Sequence, residues 1–373
     1  MLWTAPEPRC KTPCSSCAAC AWEAALNEGE WNLSYSAQDN YPGANLTFGL
    51  LASGIYTLSE PDAVFGDMDT ADSPMPGEDG IRMGRDYQRN ATLTFELGID
   101  GSHGLVDLHW PRRPSGQSSQ GIGGWTEQER IQALLRKRDQ SAHQRGLDGV
   151  GMARQVWRAD ALRGKAGRVS SLRHTFGGRT RRVFGRPRKF AVPKSSLTRQ
   201  GYTPAVADFV TVDDRFYDDT QKSEEMYDHR SVALPWRPGQ APQPQWLFLS
   251  KKTTTIKHYG EVATYPYIDI YGPCKDPKVT IASLWSVQVS LTIADGAYVR
   301  IDPRPWARTV TLVTGSTSKP VADKLTRASG RLSGMFLPPG SWTASMAYTR
   351  TVNPNLVAGP RVNIFWRDAF SWW

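Results

Sequence analysis

The sequence predicts a mainly β protein built from two antiparallel β-domains. Short segments that alternate apolar and polar residues recur along most of the chain, separated by Gly, Pro, Asp and Asn, as in antiparallel sheets. Strand–helix–strand repeats do not occur, which argues against doubly wound and barrel α/β folds. The length of 373 residues exceeds what one ordinary core accommodates, so more than one domain is expected.

The N-terminal part of the chain is predicted to be an extension, residues 1–30, that is rich in Pro and Cys. The β pattern begins at Trp31. Segments 44–58 and 90–101 alternate β-branched or aromatic residues with polar ones, which predicts strands. Residues 66–80 lie between them and contain two prolines and three glycines, which predicts a loop.

One helix is predicted in the first domain, over residues 125–143, after a low-complexity stretch at 111–124. Thr126 can cap this helix, and Ile131, Leu134 and Leu135 lie on one face of it. Strand patterns then resume, and the first domain is predicted to extend from residue 31 to 255. Its later strand patterns cover residues 180–192, 202–212 and the start of 252–270.

The second domain is predicted to span residues 256–373 and to contain only strands. From about residue 260 no helical periodicity occurs, and short strand patterns follow one another at close spacing, which is typical of an antiparallel sandwich or jelly roll. The strand patterns are KVTIASLW, WSVQVSLTI, YVRIDP, RTVTLVT, TASMAYT and RVNIFW.

The composition is that of a folded protein with one strongly basic segment. Hydrophobic residues make up 39% and charged residues 22%, and no stretch approaches the ~20 apolar residues of a membrane helix. Residues 128–200 contain 19 Lys/Arg and 4 Asp/Glu, a net charge of +15, so the rest of the chain sums to −6 of the total +9. This segment can contact nucleic acid or an acidic protein neighbour.

The centre of the basic segment, GRTRRVFGRPRKF at 178–190, resembles an AT-hook, an extended arm that binds the minor groove of A·T-rich DNA. An AT-hook has little apolar sequence beside its core, however. Here Phe184, Phe190 and Val192 share one parity, which predicts one apolar face of a bent strand with the arginines largely on the other. Gly185-Arg186-Pro187 then predicts a bulge or an edge position. We therefore favour a strand in a folded domain.

The cysteines cluster near the N-terminus. Cys10, Cys14, Cys17 and Cys20 lie within eleven residues, and Cys274 stands apart. No secretory signal is evident, so a reducing compartment and free thiols or metal ligands are expected rather than disulfides. Four thiolates can hold a zinc ion, but zinc sites usually separate two cysteine pairs, so a zinc site and free thiols both stay open.

No set of catalytic residues is evident, which predicts that the protein is not an enzyme. The six histidines are scattered, and metalloprotease, hydrolase and phosphate-binding motifs are missing. The 14 tryptophans exceed what two ordinary cores need, and Trp366, Trp372 and Trp373 crowd the C-terminus. Such a cluster can pack on its own sandwich or on a neighbouring subunit.

Several of these segments, in this order, resemble the distal tail proteins of siphophages, particularly those of actinobacterial phages. The first part comprises SGIYTLSEPDAVFGDMDT, a turn with Asp79, Gly80 and Gly84, and the strand ATLTFELGI. The resemblance covers residues 48–373, and its later part comprises TEQERIQALLRKRDQ, RRVFGRPRKF, ADFVTVDDRFYDD, YIDIYGPCKDPKVTI, ADGAYVRIDPRPWARTVTL, LPPGSW and FWRDAFSWW.

The resemblance implies a structural role in the virion. Members of this family form a ring, usually a hexamer, that joins the tail tube of a long non-contractile tail to tail-tip and receptor-binding proteins. Their first domain closes the ring and their second is a galectin-like sandwich. The protein would assemble in the host cytoplasm, contacting itself, the tube and the tail tip. Its candidate interface residues are Arg181, Arg182, Arg186, Arg188, Lys189, Trp366, Trp372 and Trp373.

The chain departs from the family pattern in places, and two other functions are carried as alternatives. Residues 1–30 have no counterpart, Ser341 and Trp342 stand where an Asn is common, and 111–124 and 141–170 are predicted to add a polar arm. One alternative is a carbohydrate-binding module that uses Trp285, Trp306 or Trp342. The other is a DNA-binding protein, although nucleic acid is not expected as a specific ligand.

Overall fold

The computed structural model of the chain describes residues 25–101, 142–233, 246–349 and 359–373, apart from residues 38–40, 62, 66–67, 76–78, 80, 85, 165 and 194. These residues form 26 strands and one α-helix, and the named strand pairs are antiparallel, which confirms the predicted mainly β fold. Two separate hydrophobic cores divide the described residues into a first and a second unit.

The first unit is built on one large sheet with the strand order β2-β1-β10-β11-β12-β9-β3, with β4 also paired to β9 and β13 to β11. Strands β5–β8 form two separate two-stranded ladders. The strands are β1 Trp31–Tyr35, β2 Ala44–Phe48, β3 Ile55–Thr57, β4 Ala63–Phe65, β5 Asp69–Thr70, β6 Ser73–Pro74, β7 Ile81–Arg82, β8 Asp86–Tyr87, β9 Ala91–Asp100, β10 Ser170–Phe176, β11 Arg179–Ala191, β12 Tyr202–Thr211 and β13 Phe216–Asp218.

The second unit is a sandwich of two antiparallel sheets with the orders β15-β14-β25-β17-β21-β22-β23 and β16-β24-β18-β19, where β20 also pairs with β18. Alternate residues of the facing strands fill one core, as the period-two pattern predicted. The strands are β14 Lys222–Ala233, β15 Trp246–Lys251, β16 Thr253–His258, β17 Tyr267–Tyr271, β18 Cys274–Ile281, β19 Trp285–Gln288, β20 Thr292–Ile293, β21 Ala297–Asp302, β22 Thr309–Thr314, β23 Thr317–Pro320, β24 Gly340–Thr349, β25 Arg361–Trp366 and β26 Ala369–Phe370.

The helices of the described residues are few and mostly short. Helix α1, Ala142–Arg158, packs on the large sheet of the first unit. Short 3-10 helices cover Leu51–Ser53, Asp160–Leu162, Ser196–Gln200, Ala322–Lys324 and Leu332–Gly334. Within the described part of the chain, no helix is both long enough and apolar enough to cross a membrane.

Helix α1 differs from the sequence prediction. The predicted helix at 125–143 lies almost entirely outside the described residues, whereas α1 occupies a stretch that the sequence suggested was a polar arm. Ala153 and Trp157 are buried on the sheet one turn apart, and the Trp157 indole N–H donates to the carbonyl of Asp208 over 3.0 Å. Glycines dilute this apolar pattern in the sequence, and packing on the sheet compensates for their low helix propensity.

The β bulge predicted near Pro187 is present, but the facing of the side chains around it was predicted wrongly. The pairing of β11 with β12 shifts between Pro187 and Lys189. Because the extra residue changes the parity, Val183 and Phe190 both face the core of the first unit, while Phe184 contacts Tyr217 and Trp306 instead. Strand β11 is also central in the sheet, paired with β10 and β12, rather than at an edge.

Strand pairing assigns three strands to the second unit that lie wholly or partly within the predicted first domain, residues 31–255. Strand β14 pairs with β25, β15 pairs with β14, and β16 pairs with β24. Local sequence patterns show that these segments are strands but do not show which partner each strand has. The C-terminal strand β26 crosses in the other direction and pairs with β13 of the first unit.

Candidate functional site: the projecting hairpin and the joint between the units

A projecting hairpin extends from the first unit between β4 and β9. We use this name for the described residues among 68–90. Its ladders pair Asp69 with Tyr87 and Ser73 with Arg82, where composition alone predicted a loop over residues 66–80. A Cβ on Gly84 would lie 2.1 Å from the Ala71 carbonyl oxygen, so the two strands approach closely at this point.

The projecting hairpin exposes apolar side chains. Met68, Met75, Ile81 and Met83 are 57%, 38%, 59% and 81% exposed. Polar contacts within the hairpin include the Arg89–Asp69 ion pair at 2.7 Å, which is exposed and contributes little. A two-stranded hairpin is at best marginally stable in water by itself, so this element gains stability if another surface covers its apolar side chains.

The joint between the units is formed largely by the C-terminal residues. After Trp366 the chain leaves the sandwich, and Ala369–Phe370 extends the sheet of the first unit by pairing with Phe216 and Tyr217. The Asp218 N–H donates to the Asp368 carbonyl over 2.8 Å, and the Glu261 N–H donates to the Ala369 carbonyl over 2.8 Å. The last strand is thus hydrogen-bonded to both units.

A partly buried carboxylate, bound by two buried arginines, lies beside this joint. Arg173 and Arg182 are opposite each other on β10 and β11, and both bind Asp219, with Nη2–Oδ distances of 2.6 and 2.5 Å. Burial alone would raise the pKa of Asp219, but the hydrogen bonds and positive charges of the two arginines lower it below its usual range. Arg367 of the second unit also donates to the carbonyls of Asp218 and Asp219.

The predicted interface arginines divide into buried and exposed groups. Arg181 and Arg182 are both 4% exposed, contrary to the expected solvent-facing position. Arg181 donates to the Trp372 carbonyl, and its Cζ lies 3.9 Å from the Phe370 ring centroid. Both contacts hold the C-terminal residues against the first unit. Arg186 donates from Nε to the Arg168 carbonyl over 2.6 Å, and burial lowers its pKa. Arg188 and Lys189 are exposed beside the bulge.

The three C-terminal tryptophans have three different environments. Trp366 is buried in the core of the sandwich, whereas Trp372 is 60% exposed. Trp373 packs on the core of the first unit, with its ring centroid 5.0 Å from Trp31 and 4.7 Å from Phe216. The sequence leaves open whether these residues pack on their own sandwich or on a neighbouring subunit. In the structure Trp373 contacts the other unit of the same chain.

Two further acidic residues near the joint, Asp213 and Asp368, have carboxyl groups whose pKa values are shifted by their surroundings. Asp213 is partly buried and accepts a hydrogen bond from the Tyr217 hydroxyl over 2.6 Å, and removal of its carboxyl group from water raises its pKa to about 6. Asp368 lies between Lys222 and the His258 ring. Burial would raise the pKa of Asp368, but hydrogen bonds from His258 and Lys222 lower it. Neither carboxyl group was singled out by the sequence as part of a joint.

The candidate sugar-binding tryptophans are all in packed positions. Trp285 is 9% exposed and donates to the Phe336 carbonyl, and Trp342 packs against the sandwich core and donates to the Pro338 carbonyl, both over 2.9 Å. Trp306 packs against Phe184 of the first unit, with 5.0 Å between ring centroids and an angle of 32° between the ring planes. In these positions the rings are engaged in contacts within the chain.

No group of three metal-ligating side chains occurs among the described residues. The candidate zinc ligands Cys10, Cys14, Cys17 and Cys20 lie outside them. Cys274 is buried in the sandwich, and burial raises the pKa of its thiol to about 12, which makes it a poor nucleophile.

No protein-family model and no curated protein matches the chain. Among solved structures, it is similar to the Dit protein (gp 19.1) of phage SPP1, a paradigm of hub adsorption apparatus in phages that infect Gram-positive bacteria. The identity is 11% and the TM-score 0.44, over 91% of this chain and 99% of that one. It is also similar to the phage P2 baseplate in its activated conformation with Ca, with 9% identity and a TM-score of 0.42 over 90% and 97% of the chains.

The P2 baseplate with Sr gives nearly the same values, with 9% identity and a TM-score of 0.41 over 90% and 97% of the chains. These solved structures are phage hub and baseplate proteins, the class that the sequence resembles.

Proposed function

We propose that this chain is a structural protein of a phage virion, a hub at the distal end of a long non-contractile tail. Two lines of reasoning support the proposal. The ordered sequence motifs over residues 48–373 resemble distal tail proteins, and the described residues form a β-unit that carries helix α1, followed by a β-sandwich, which supports that resemblance. In this role the chain needs no catalytic residues, and its surfaces serve assembly.

The observation that carries the proposal is the projecting hairpin. Its apolar side chains are exposed on an element that one chain does not bury, and Ile81 and Met83 are the clearest examples. A closed ring supplies each hairpin with the same neighbouring surface, because a heterologous interface repeats around the ring. We propose that the hairpin packs on the next copy in a homo-hexamer.

The remaining partners follow from the same role. The ring stacks on the tail tube through the first unit, and the sandwich contacts tail-tip and receptor-binding proteins. We further propose that the first unit ends near Asp219, where the buried ion cluster and the returning C-terminus join the two units. Exposed Arg188 and Lys189 are then available to an acidic neighbour.

The test is the mass of the purified protein by light scattering over a concentration series, with negative-stain images of any oligomer. The expected species is a ring near six subunits. The double variant Ile81→Asp/Met83→Asp should shift the mass toward the monomer without lowering the thermal midpoint of the isolated subunit. Leu197→Asp is the matched control, because Leu197 is 44% exposed in the same unit but outside the hairpin. A ring that persists in the double variant would refute the hairpin's role.

A ring need not form without its neighbours, so the same variants are also tested by co-expression with the tube and tail-tip proteins of the same phage. Incorporation of the wild-type chain into tails, with loss of incorporation for the hairpin variant, is the expected result. A wild-type chain that stays monomeric alone and is never incorporated into tails would contradict the proposed function itself.

A further inference from the structure

The methionines of the chain divide sharply by exposure. The sequence contains eight of them, and Met1 lies outside the described residues. Among the described residues, the methionines with open side chains, from 38% to 81% exposed, all belong to the projecting hairpin, and the rest are at most 9% exposed. We call the first group, Met68, Met75 and Met83, the hairpin methionines. The buried group is Met152, Met226, Met335 and Met346.

Each hairpin methionine lies beside one of the short ladder strands. Met68 precedes β5, Met75 follows β6 and Met83 follows β7. Within the described part of the chain, the two hydrophobic cores include the buried methionines but not these three. The side chains of the hairpin methionines are therefore open to solvent while the fold of both units is intact, and a chemical change on them leaves the cores unaltered.

The chemistry that methionine adds to an apolar surface is that of its thioether, which peroxides oxidise. A sulfur lone pair attacks one oxygen of hydrogen peroxide, the O–O bond breaks and an S–O bond forms. The other oxygen takes up the proton of the transferred oxygen and leaves as water, so the sulfur loses two electrons and the peroxide gains them. The product, methionine sulfoxide, is polar where the thioether was apolar, and sulfoxide reductases reverse the change.

We propose that the hairpin methionines form a reversible oxidation site that controls packing of the hairpin on the next copy. The inference rests on the proposed function, because it requires that the ring covers the hairpin. In the unassembled chain peroxide reaches the thioethers, and each sulfoxide places a hydrogen-bond acceptor on a surface that packing has to desolvate. A polar group buried without a partner opposes association. In the assembled ring the same thioethers are covered, which protects them from the oxidant.

The first experiment maps oxidation in the full chain. The purified protein, at a concentration where it is monomeric, is treated with graded amounts of hydrogen peroxide, and mass spectrometry of its peptides locates the added oxygen. The hairpin methionines are expected to react at least about tenfold faster than the buried group, which reacts only when the cores open. Equal rates in the two groups would overturn the inference. This measurement does not depend on ring formation.

The second experiment measures assembly by light scattering over a concentration series. It compares the untreated chain, the selectively oxidised chain and the oxidised chain after treatment with reductases for both sulfoxide epimers. The midpoint concentration of ring assembly is expected to rise about tenfold or more on oxidation and to return after reduction. Preformed rings are expected to protect the hairpin methionines from peroxide. An unchanged midpoint after oxidation would overturn the inference and leave the ring itself intact. An untreated chain that forms no ring and enters no tail would contradict the proposed function and the inference together.

The third experiment assigns the effect to the thioethers. The variant Met68→Leu/Met75→Leu/Met83→Leu keeps apolar side chains on the hairpin but forms no sulfoxide there. Each protein is compared with its own untreated sample, so a change in assembly caused by the substitutions themselves cancels. The rise of the midpoint with peroxide is expected to disappear in this variant and to persist in Met346→Leu, the matched control in the sandwich core. A rise of the same size in both variants would place the sensitive group elsewhere and refute this site.

Discussion

Arg173, Arg182 and Asp219 form an ion cluster that stabilises the joint between the two units and does not lie on the open surface. Asp219 binds Arg173 and Arg182, whose side chains are only 4% and 5% exposed. Removing one member of a buried ion group is costly, because the remaining charges lose their partner in a low-dielectric environment. The arginine-rich strand that resembled a DNA-binding arm thus has a structural role in the described part of the chain.

Asp219→Asn is expected to lower the free energy of unfolding by about 3 kcal/mol. Because the pKa of Asp219 is lowered on folding, its stabilising contribution is present above the ordinary carboxyl range and disappears as the pH falls through that range. Urea unfolding at pH 7 measures the loss. Asp160→Asn is the control, since Asp160 bridges exposed Arg158 and should cost below about 1 kcal/mol. Equal losses for the two variants would contradict this assignment.

Asp213 should produce the opposite pH dependence. Burial raises its pKa to about 6, so the protonated form is favoured in the folded state, and its stabilising effect is lost as the pH rises through 6. Asp213→Asn cannot ionise and keeps an acceptor for the Tyr217 hydroxyl. We expect the loss of stability between pH 5 and pH 8 to be smaller in this variant by about 1.4 kcal/mol, because only the part of the pKa shift above pH 5 contributes in this range. Urea unfolding of the wild-type chain and of Asp213→Asn at pH 5 and pH 8 tests this expectation. Asp214→Asn is the control, because Asp214 is the neighbouring residue and is more exposed.

At the scale of single elements, helix α1 shows how tertiary contacts override local propensity. Three of its residues are glycine, and the sequence assigned it to a polar insertion. Its N-terminal end lies against the backbone after the 3-10 helix Ser196–Gln200, where a Cβ on Gly146 would be 2.7 Å from the Gly201 carbonyl oxygen. Gly151 has no neighbouring atom within 4 Å of an added Cβ. Packing therefore requires glycine at position 146 but not at position 151.

Gly146→Ala and Gly151→Ala should therefore change stability in opposite directions. Alanine has the higher helix propensity at both positions, so Gly151→Ala is expected to stabilise the chain by about 0.5–1 kcal/mol. At Gly146 the clash with a backbone oxygen outweighs that gain, and we expect destabilisation. Chemical denaturation of the two variants and of the wild-type chain measures the change in the free energy of unfolding. Stabilisation by both substitutions would show that α1 can move away from Gly201.

At the scale of the whole molecule, the C-terminus joins the two units. The chain completes the sandwich at Trp366, and a few residues later Trp373 packs on the core of the first unit between His174 and Phe216. The Arg181 guanidinium and strand pairing hold the intervening residues. The two units therefore depend on each other although each has its own core.

Trp373→Ala is expected to destabilise the first unit by about 2–4 kcal/mol, because it removes a large aromatic side chain from a packed cluster. Trp372→Ala, one residue earlier, should cost below about 1 kcal/mol, since its ring is 60% exposed. Differential scanning calorimetry of both variants measures the effect on each transition. Equal thermal unfolding midpoints for Trp373→Ala and Trp372→Ala would mean that the Trp373 side chain does not stabilise the first unit.

The sequence by itself determined the fold class and the position of most strands. Period-two alternation between turn residues placed β11, β12 and the strands after residue 260, because a strand with one buried face must alternate along its own length. Gly185-Arg186-Pro187 predicts a bulge or an edge position for the same local reason, since Gly and Pro disturb strand pairing, and the structure has a register shift between Pro187 and Lys189.

Only the tertiary structure decided which strands pair and which charges are buried. The pairing of β14 with β25, the return of β26 to the first unit and the burial of Arg181 and Arg182 join residues far apart in sequence. No local periodicity encodes such contacts, because hydrogen bonds between strands and the desolvation of a charge depend on the partner that arrives from elsewhere in the chain. The joint is therefore a property of the folded chain alone.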